Sequence, residues 1–203
     1  MELGVEKVLA AARGRRLRGI LRDPGWSERD GASGADVRLD RRAGSCFGGW
    51  WKGGSKSQAL GRSRGGFSTK IHLKTDFDGA PLAFHLTGGE AGDSPVFPLL
   101  LDLGPDVTPR AALADKGYDA KANRAAARAR GICPAIPTKS NAKNRPKFFP
   151  KIMYKGRARI EQTFGKLKRF KRVALRCEKT AKSFASIVSL ACGFILLKSV
   201  HTA

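Results

Sequence analysis

The sequence predicts an α/β fold in which helices pack on a mixed β-sheet. Two extended segments joined by a turn predict a hairpin in the first half of the chain, and a short apolar run followed by a helical segment predicts buried strands after it. A dense apolar segment near the end of the chain predicts a core helix. Hydrophobic residues make up 41% of the 203 residues, which is enough for a packed core.

The hairpin is predicted for residues 69–75 and 81–87. Apolar and polar residues alternate in TKIHLKT, and PLAFHLT continues in extended form after the turn. Asp78 and Gly79 lie between the two segments, and this residue pair is typical of the tight turns that connect antiparallel strands. We therefore expect two antiparallel neighbours in the sheet.

The next elements follow in the order strand, helix, strand. Residues 111–114 form a short apolar run that ends at Asp115, and residues 119–130 are rich in Ala and Arg, which is typical of a helix. Gly131 ends that helix, and residues 133–136 are expected to form the next strand. Side chains emerge into a cleft where a buried strand of an α/β sheet ends, so Asp115 is a candidate site residue. A role for Asp115 in capping the following turn is an alternative.

Residues 184–197 are too apolar for an exposed helix and are expected to pack on the sheet. The apolar segment is interrupted by Ser186, Ser189, Gly193 and Lys198, which argues against a membrane span. No charged start leads into an apolar signal stretch, and the four cysteines show no metal-binding spacing. We therefore expect a cytoplasmic protein with free thiols that makes no membrane contact.

The charge of the chain predicts a polyanionic partner. Lysine and arginine number 39 against 17 acidic residues, which gives a formal net charge of +22. Residues 139–182 alone contain sixteen basic residues and two acidic ones, Glu161 and Glu178. A local excess of one sign on this scale repels itself unless an anion lies against it, and nucleic acid is the simplest such anion.

Residues 153–172 contain the most informative pattern. If the whole segment is one helix, Tyr154, Arg157, Glu161 and Lys168 share an arc of about 60° at 100° per residue. Three apolar residues on the adjacent edge are expected to face the core: Ile160, Phe164 and Leu167. The segment can therefore present a carboxylate beside phosphate-binding cations, although an ordinary amphipathic helix with a solvated charged face would show the same spacing.

These four residues match the pattern Y-x2-R-x3-E-x6-K, which resembles the signature of bacterial DDE transposases of the insertion sequence four and five groups. Four further segments resemble the insertion sequence five family in the same order: GRSRGGFSTKIHL (61–73), PLAFHLTGGEAGDSP (81–95), LADKGYD (113–119) and RIEQTFGKLKRFKR (159–172). The resemblance runs from about residue 52 to the end of the chain.

The resemblance implies an RNase H-like fold in which two Asp and one Glu hold two divalent cations, Mg²⁺ or Mn²⁺, to cut and join DNA. Asp115 and Glu161 would be catalytic residues and metal ligands, since hard oxygen ligands suit these ions. The implied partners are transposon ends and target DNA, bound by the protein as a homodimer near the nucleoid. The residues implied to bind DNA are Tyr154, Arg157, Lys166, Lys168 and Arg169.

The chain departs from the family where the first Asp is expected. The family pattern DSTxVRAH is missing, and residues 37–51 read VRLDRRAGSCFGGWW, which is wrong for a buried strand. Asp36 or Asp40 could replace that acid only if this stretch formed the opening strand. Bases read one position later can encode the family pattern, so we interpret residues 13–51 as out-of-frame translation. The sheet is then expected to be incomplete at its first strand.

These observations divide the chain into three parts. Residues 1–12 resemble a remnant of a family helix, residues 13–60 are expected to be disordered or out of frame, and residues 61–203 form the catalytic domain. The leading hypothesis is a DDE transposase, truncated or frameshifted, with impaired activity. One alternative is a non-catalytic basic nucleic-acid-binding protein, which would not need Asp115 beside Glu161. A general nuclease of the same fold is a further alternative.

Overall fold

The computed structural model describes residues 2–11, 36–38, 58–63, 66–139 and 149–201, and in this part of the chain seven strands and six α-helices form a mixed α/β fold. The strands are β1 (Glu2–Ala11), β2 (Asp36–Arg38), β3 (Gly61–Ser63), β4 (Gly66–Asp76), β5 (Pro81–Gly88), β6 (Ala111–Ala114) and β7 (Cys133–Ala135). The helices are α1 (Phe97–Asp102), α2 (Lys121–Ala129), α3 (Lys151–Lys155), α4 (Ala158–Lys168), α5 (Lys171–Leu175) and α6 (Ala181–His201). The predicted α/β class, consistent with an RNase H-like fold, is confirmed.

The predicted hairpin is present as β4 and β5, which pair antiparallel with Ile71 opposite Leu86. Gly79 adopts φ +89° in the connecting turn, a conformation that L side chains rarely adopt. Asp76 closes the same turn, because its Oδ1 accepts hydrogen bonds from the backbone N–H groups of Asp78 (2.9 Å) and Ala80 (2.7 Å). The turn is therefore rigidly shaped and can serve as a docking point for a helix.

The centre of the sheet is formed by β1, and the strand order is β3-β4-β1-β6-β7. β1 runs parallel to β4 and antiparallel to β6, while β2 pairs with the start of β1. Residues 1–12 were expected to be a helical remnant, and the strand at 2–11 differs from that expectation. The physical reason is that β4 and β6 would otherwise each present a row of unpaired backbone groups, which β1 satisfies.

Helices cover both faces of the sheet. On one face, α4, α5 and α6 pack on Ile71 and Leu73 of β4. On the other face, α1 and α2 pack on Ala112 and Ala114 of β6. Both faces of β4 are therefore buried, although its alternating sequence would suit a strand with one face in water.

Five polar residues of β4 are buried as a result, and two of them, His72 and Lys74, can carry charge. His72 is fully buried, with Nδ1 3.2 Å from the Tyr118 hydroxyl and Nε2 2.8 Å from Thr87 Oγ1, and burial lowers its pKa to about 4. Lys74 donates from Nζ to the backbone carbonyl oxygens of Leu101 (3.1 Å) and Leu103 (2.7 Å), and burial lowers its pKa as well. The ammonium thus satisfies carbonyl groups at the end of α1.

The elements around β6 agree with the sequence. α2 lies inside the segment predicted to be helical, and Gly131 has φ +71° just beyond its end. β7 then pairs parallel to β6, with Leu113 opposite Ala135. Helix α1 was not predicted, although Pro98 near its start is typical of a helix N-terminus.

Helix α6 is long and apolar enough to cross a membrane by length and composition, but one of its faces packs on the sheet. Its buried residues include Phe184, Val188 and Ile195, as expected of a core helix. The opposite face exposes Leu190 and Leu197, so the helix is only half covered in the described part of the chain.

Candidate active site

Asp115 follows directly after β6, whose four residues are all buried. The carboxylate remains partly exposed, with 35% of the side chain accessible. A short 3₁₀ turn begins after it, in which the Tyr118 N–H donates to the Asp115 carbonyl (3.0 Å). Tyr118 is fully buried, with its ring centre 5.8 Å from that of Phe97. A buried strand on one side and a buried tyrosine on the other thus fix the position of Asp115.

Glu161 lies in the first turn of α4 beside buried Ile160. The apolar edge of α4 is buried as predicted: Ile160, Phe164 and Leu167. Thr163 attaches α4 to the β4–β5 turn, because its Oγ1 donates to the Gly79 carbonyl at 2.5 Å in a buried position. The helix is thereby held in one register against the sheet, and Glu161 is held with it.

Arg157 connects the two acids. Its Nη1 lies 2.6 Å from Asp115 Oδ1 and its Nη2 lies 3.0 Å from Glu161 Oε1. Because both contacts are made by one planar guanidinium, the two carboxylate oxygens lie within about 8 Å of each other. The structure therefore brings together two acids that are 46 positions apart in the sequence.

Tyr154 lies on the same side of the site. Its hydroxyl is 3.4 Å from Asp115 Oδ1, and the Arg157 guanidinium carbon lies 5.6 Å from the centre of its ring. Burial raises the Tyr154 pKa to about 12, with smaller contributions in the same direction from Asp115 and Glu161. The phenol is therefore neutral at physiological pH and acts as a hydrogen-bond donor.

The segment that contains these residues is not one continuous helix. α3 ends at Lys155 and α4 begins at Ala158, and the connecting turn has hydrogen bonds between residues three apart, from Arg157 N–H to Tyr154 O and from Ile160 N–H to Arg157 O. Such a 3₁₀ turn winds more tightly than the 100° per residue assumed for the sequence pattern. The expectation of a single helix over residues 153–172 is therefore wrong, although Tyr154, Arg157 and Glu161 still meet.

Gly156 allows this turn to lie close to the sheet. A Cβ atom added there would lie 2.7 and 2.9 Å from two carbons of the Phe77 ring. Phe77 in turn packs with Met153 against buried Leu113 of β6. Phe77, Gly156 and Thr163 were not singled out from the sequence. The Asp78–Gly79 turn was the available signal, because a well-formed turn marks a place where a helix can dock.

The predicted basic residues lie further along α4. Lys166 and Arg169 are exposed and Lys168 is partly exposed. Lys168 is seven residues after Glu161 on the same side of the helix, which places it about 10 Å away along the axis. Within the described part of the chain, neither Lys166 nor Arg169 forms an ion pair. The cations thus extend away from the acids instead of surrounding them.

The donor set at the site suits a hard divalent cation. Asp115 and Glu161 supply carboxylate oxygens, and a guanidinium already occupies the place between them as a cation would. Within the described residues no group of three His, Cys, Asp or Glu side chains could hold a metal ion. Residues 39–51, which include Asp40, lie outside the described residues, and Asp36 is described only as a backbone position in β2.

Comparisons with known proteins show which proteins this chain resembles. A family model described as a transposase DDE domain matches residues 34–196. Over 138 residues the chain is 38% identical to a Brucella ovis protein described as a transposase for insertion sequence element IS6501, covering 64% of this chain and 99% of that protein. Over 144 residues it is 33% identical to a Burkholderia cepacia protein described as a transposase for insertion sequence element IS402. This match covers 66% of this chain and 65% of that protein. No solved structure gives a significant match.

Proposed function

The chain belongs to the transposase DDE domain family, a family of DNA transposases, and from this membership we propose that it cuts and joins transposon DNA by phosphoryl transfer at Asp115 and Glu161. The resemblance to DDE insertion sequence transposases is thereby confirmed. The observation that carries the proposal is the Arg157 guanidinium bound to both acids. Two carboxylates held together beside a strongly basic segment would repel phosphate unless a metal ion lay between them.

The family acts with divalent metal ions, and here Asp115 and Glu161 would hold Mg²⁺ or Mn²⁺. When bound, such an ion activates the attacking water or 3′-hydroxyl and stabilises the leaving oxygen at phosphorus. Asp115 is held in place by β6, and Glu161 is held in place because Thr163 attaches α4 to the β4–β5 turn. Neutral Tyr154 would donate a hydrogen bond to a phosphate oxygen or to Asp115.

DNA would lie along the C-terminal half of α4. Lys166 and Lys168, with Arg169 directly after the helix, would supply cations for the phosphates of a strand that continues beyond the reacting phosphate. Phosphate contacts of this kind make binding strongly dependent on salt concentration.

A paired substitution tests this surface. Changing Lys166 and Arg169 together to Gln should weaken DNA binding and reduce the slope of log K against log salt by about two. The matched control changes Lys121 and Arg128 of α2, which are also exposed but lie on the other face of the sheet. Equal losses in both variants would contradict a binding surface on α4.

A metal titration tests the acidic site. Wild-type chain is titrated with Mn²⁺ alongside D115N and E161Q, and binding should be lost in both variants. The control is D102N, because Asp102 is an exposed carboxylate that pairs with Arg130 on the other face of the sheet. Equal Mn²⁺ binding in all four proteins would contradict the proposal and favour a purely nucleic-acid-binding protein.

We also propose that strand cleavage by this chain is weak, because the family pattern of the first acid is missing from residues 37–51. Reading those residues as out-of-frame translation supports this view, and the nucleotide sequence of the gene tests it directly. Purified chain should bind DNA carrying transposon ends yet cut it poorly with Mg²⁺. Strong cleavage that D115N abolishes would contradict impaired activity.

The assembly and location are part of the same proposal. Joining two transposon ends in one reaction requires two active sites, so we propose a homodimer on DNA, with the protein in the cytoplasm at the nucleoid. Light scattering of the chain with a short duplex of transposon-end sequence should give the mass of two chains per complex. A mass of one chain under saturating DNA would contradict the dimer.

A further inference from the structure

Two roles of the Arg157 side chain conflict with each other. The resemblance makes it a ligand of DNA phosphate, whereas in the structure its two terminal nitrogen atoms bind Asp115 and Glu161. A bidentate grip on a phosphate uses two guanidinium nitrogen atoms, at least one of which is a terminal nitrogen. Such a grip therefore competes with the contacts that the side chain makes to the two acids.

The surroundings of Arg157 allow its side chain to move while its backbone stays in place. The backbone is fixed in the turn between α3 and α4 by hydrogen bonds to Tyr154 and from Ile160. The guanidinium is partly exposed, with 25% of the side chain accessible, and it packs against the face of the Tyr154 ring. A long side chain anchored in this way can exchange partners without a change in the fold.

We propose that Arg157 is a displaceable internal counterion of the acidic site, an inference that rests on the proposed function. In the free chain Arg157 offsets part of the negative charge of Asp115 and Glu161 and reduces their mutual repulsion. It releases both carboxylates when a divalent cation is bound between them, and its guanidinium then becomes available to a DNA phosphate. Arg157 thereby competes with the metal ion before it binds DNA.

The competing explanation is that Arg157 braces the two acids and stays bound to them when the metal is present. The two explanations predict opposite effects of removing the cation. If Arg157 competes with the metal, a neutral side chain should strengthen metal binding, because the guanidinium no longer holds the two carboxylates. If Arg157 is a brace, the same change should weaken metal binding, because the two acids move apart.

The test is the affinity of the full chain for Mn²⁺, measured by calorimetry and by electron paramagnetic resonance without DNA. We expect R157Q to bind Mn²⁺ about tenfold more tightly than wild type. The matched control is R130Q, which removes an arginine from the Asp102 ion pair on the other face of the sheet and changes the net charge equally. Its Mn²⁺ affinity should equal that of wild type.

R157K provides a second measurement should R157Q fail to fold. A lysine keeps the charge but lacks the planar fork that reaches both acids at once, so its Mn²⁺ affinity should exceed that of wild type and fall short of R157Q. Wild-type binding that neither variant strengthens would overturn the counterion proposal and leave the metal site intact. Absence of Mn²⁺ binding in wild type and variants alike would overturn the metal site as well.

Discussion

The contact between Thr163 and the β4–β5 turn should be a main support of the candidate active site. Thr163→Val keeps the shape of the side chain and removes its hydroxyl. The Gly79 carbonyl, which accepts from Thr163 Oγ1 at 2.5 Å, would then be buried without this donor. Leaving such an acceptor unsatisfied costs about 1–3 kcal/mol in the free energy of unfolding. Thr and Val have similar helix propensities, so the difference reports the hydroxyl.

This loss can be measured by thermal and urea unfolding followed by circular dichroism. For a chain of this length each kcal/mol lowers the melting temperature by about 2–4 °C, so T163V should melt roughly 2–12 °C lower than wild type. T163S is the matched control, because it keeps the hydroxyl and loses only a methyl group, at a cost of about 1 kcal/mol or less. T163V as stable as T163S would refute the reasoning.

The same pair of variants shows whether Thr163 positions Glu161 two residues earlier in α4. If it does, T163V should bind Mn²⁺ several-fold more weakly at a temperature where both proteins are folded, whereas T163S should bind like wild type. A loss of stability in T163V with unchanged Mn²⁺ affinity would make Thr163 a purely structural residue.

Two further predictions concern residues close to the same strands. The pKa of His72 is about 4 in the folded chain and 6.5 in the unfolded chain. As the pH falls through 6.5, the unfolded state therefore binds a proton that the folded state does not. The free energy of unfolding should fall by about 2 kcal/mol between neutral pH and pH 5 for this reason. In urea unfolding, H72Q should lose less stability than wild type between neutral pH and pH 5. The same pH dependence in H72Q and wild type would contradict this role of His72. G156A should lose about 1–3 kcal/mol of stability because its Cβ meets the Phe77 ring, and adding F77L should recover part of that loss. Equal losses with and without F77L in a double-mutant cycle would refute this contact.

The sequence predicts the part of the fold that depends on local signals. The β4–β5 hairpin follows from alternation around Asp78 and Gly79, and the end of α2 follows from Gly131. The position of Asp115 at a strand end follows from the apolar run before it. Each of these signals lies within a few residues of the feature that it predicts.

Features that depend on tertiary contacts could not be predicted in the same way. The alternation in β4 does not reveal that His72 is buried against Tyr118 and that Lys74 is buried against the end of α1. A helical wheel assumes one constant rotation per residue, so it misses the 3₁₀ turn at Gly156. The wheel placed Arg157 near Glu161, but the second contact of the guanidinium, with Asp115, arises from a distant part of the chain.

The start of the chain shows how strongly partners override local preference. MELGVEKVLAAA is rich in residues that favour helices, and its resemblance to a helical region of the family led to the expectation of a helical remnant. The strand observed at 2–11 gains hydrogen bonds on both sides, from β4 and from β6, and an isolated helix would have no such partners.

The central place of β1 has a consequence for how the protein acquires its structure. Val5 pairs with Ile71 and Val8 pairs with Ala114, so β1 is synthesised long before the strands with which it pairs. The hairpin can form as soon as it is synthesised, but joining it to the β6–β7 pair requires closing two long loops. Nascent chains should therefore depend on chaperones that shield the unpaired edges of β1 until β6 has been synthesised.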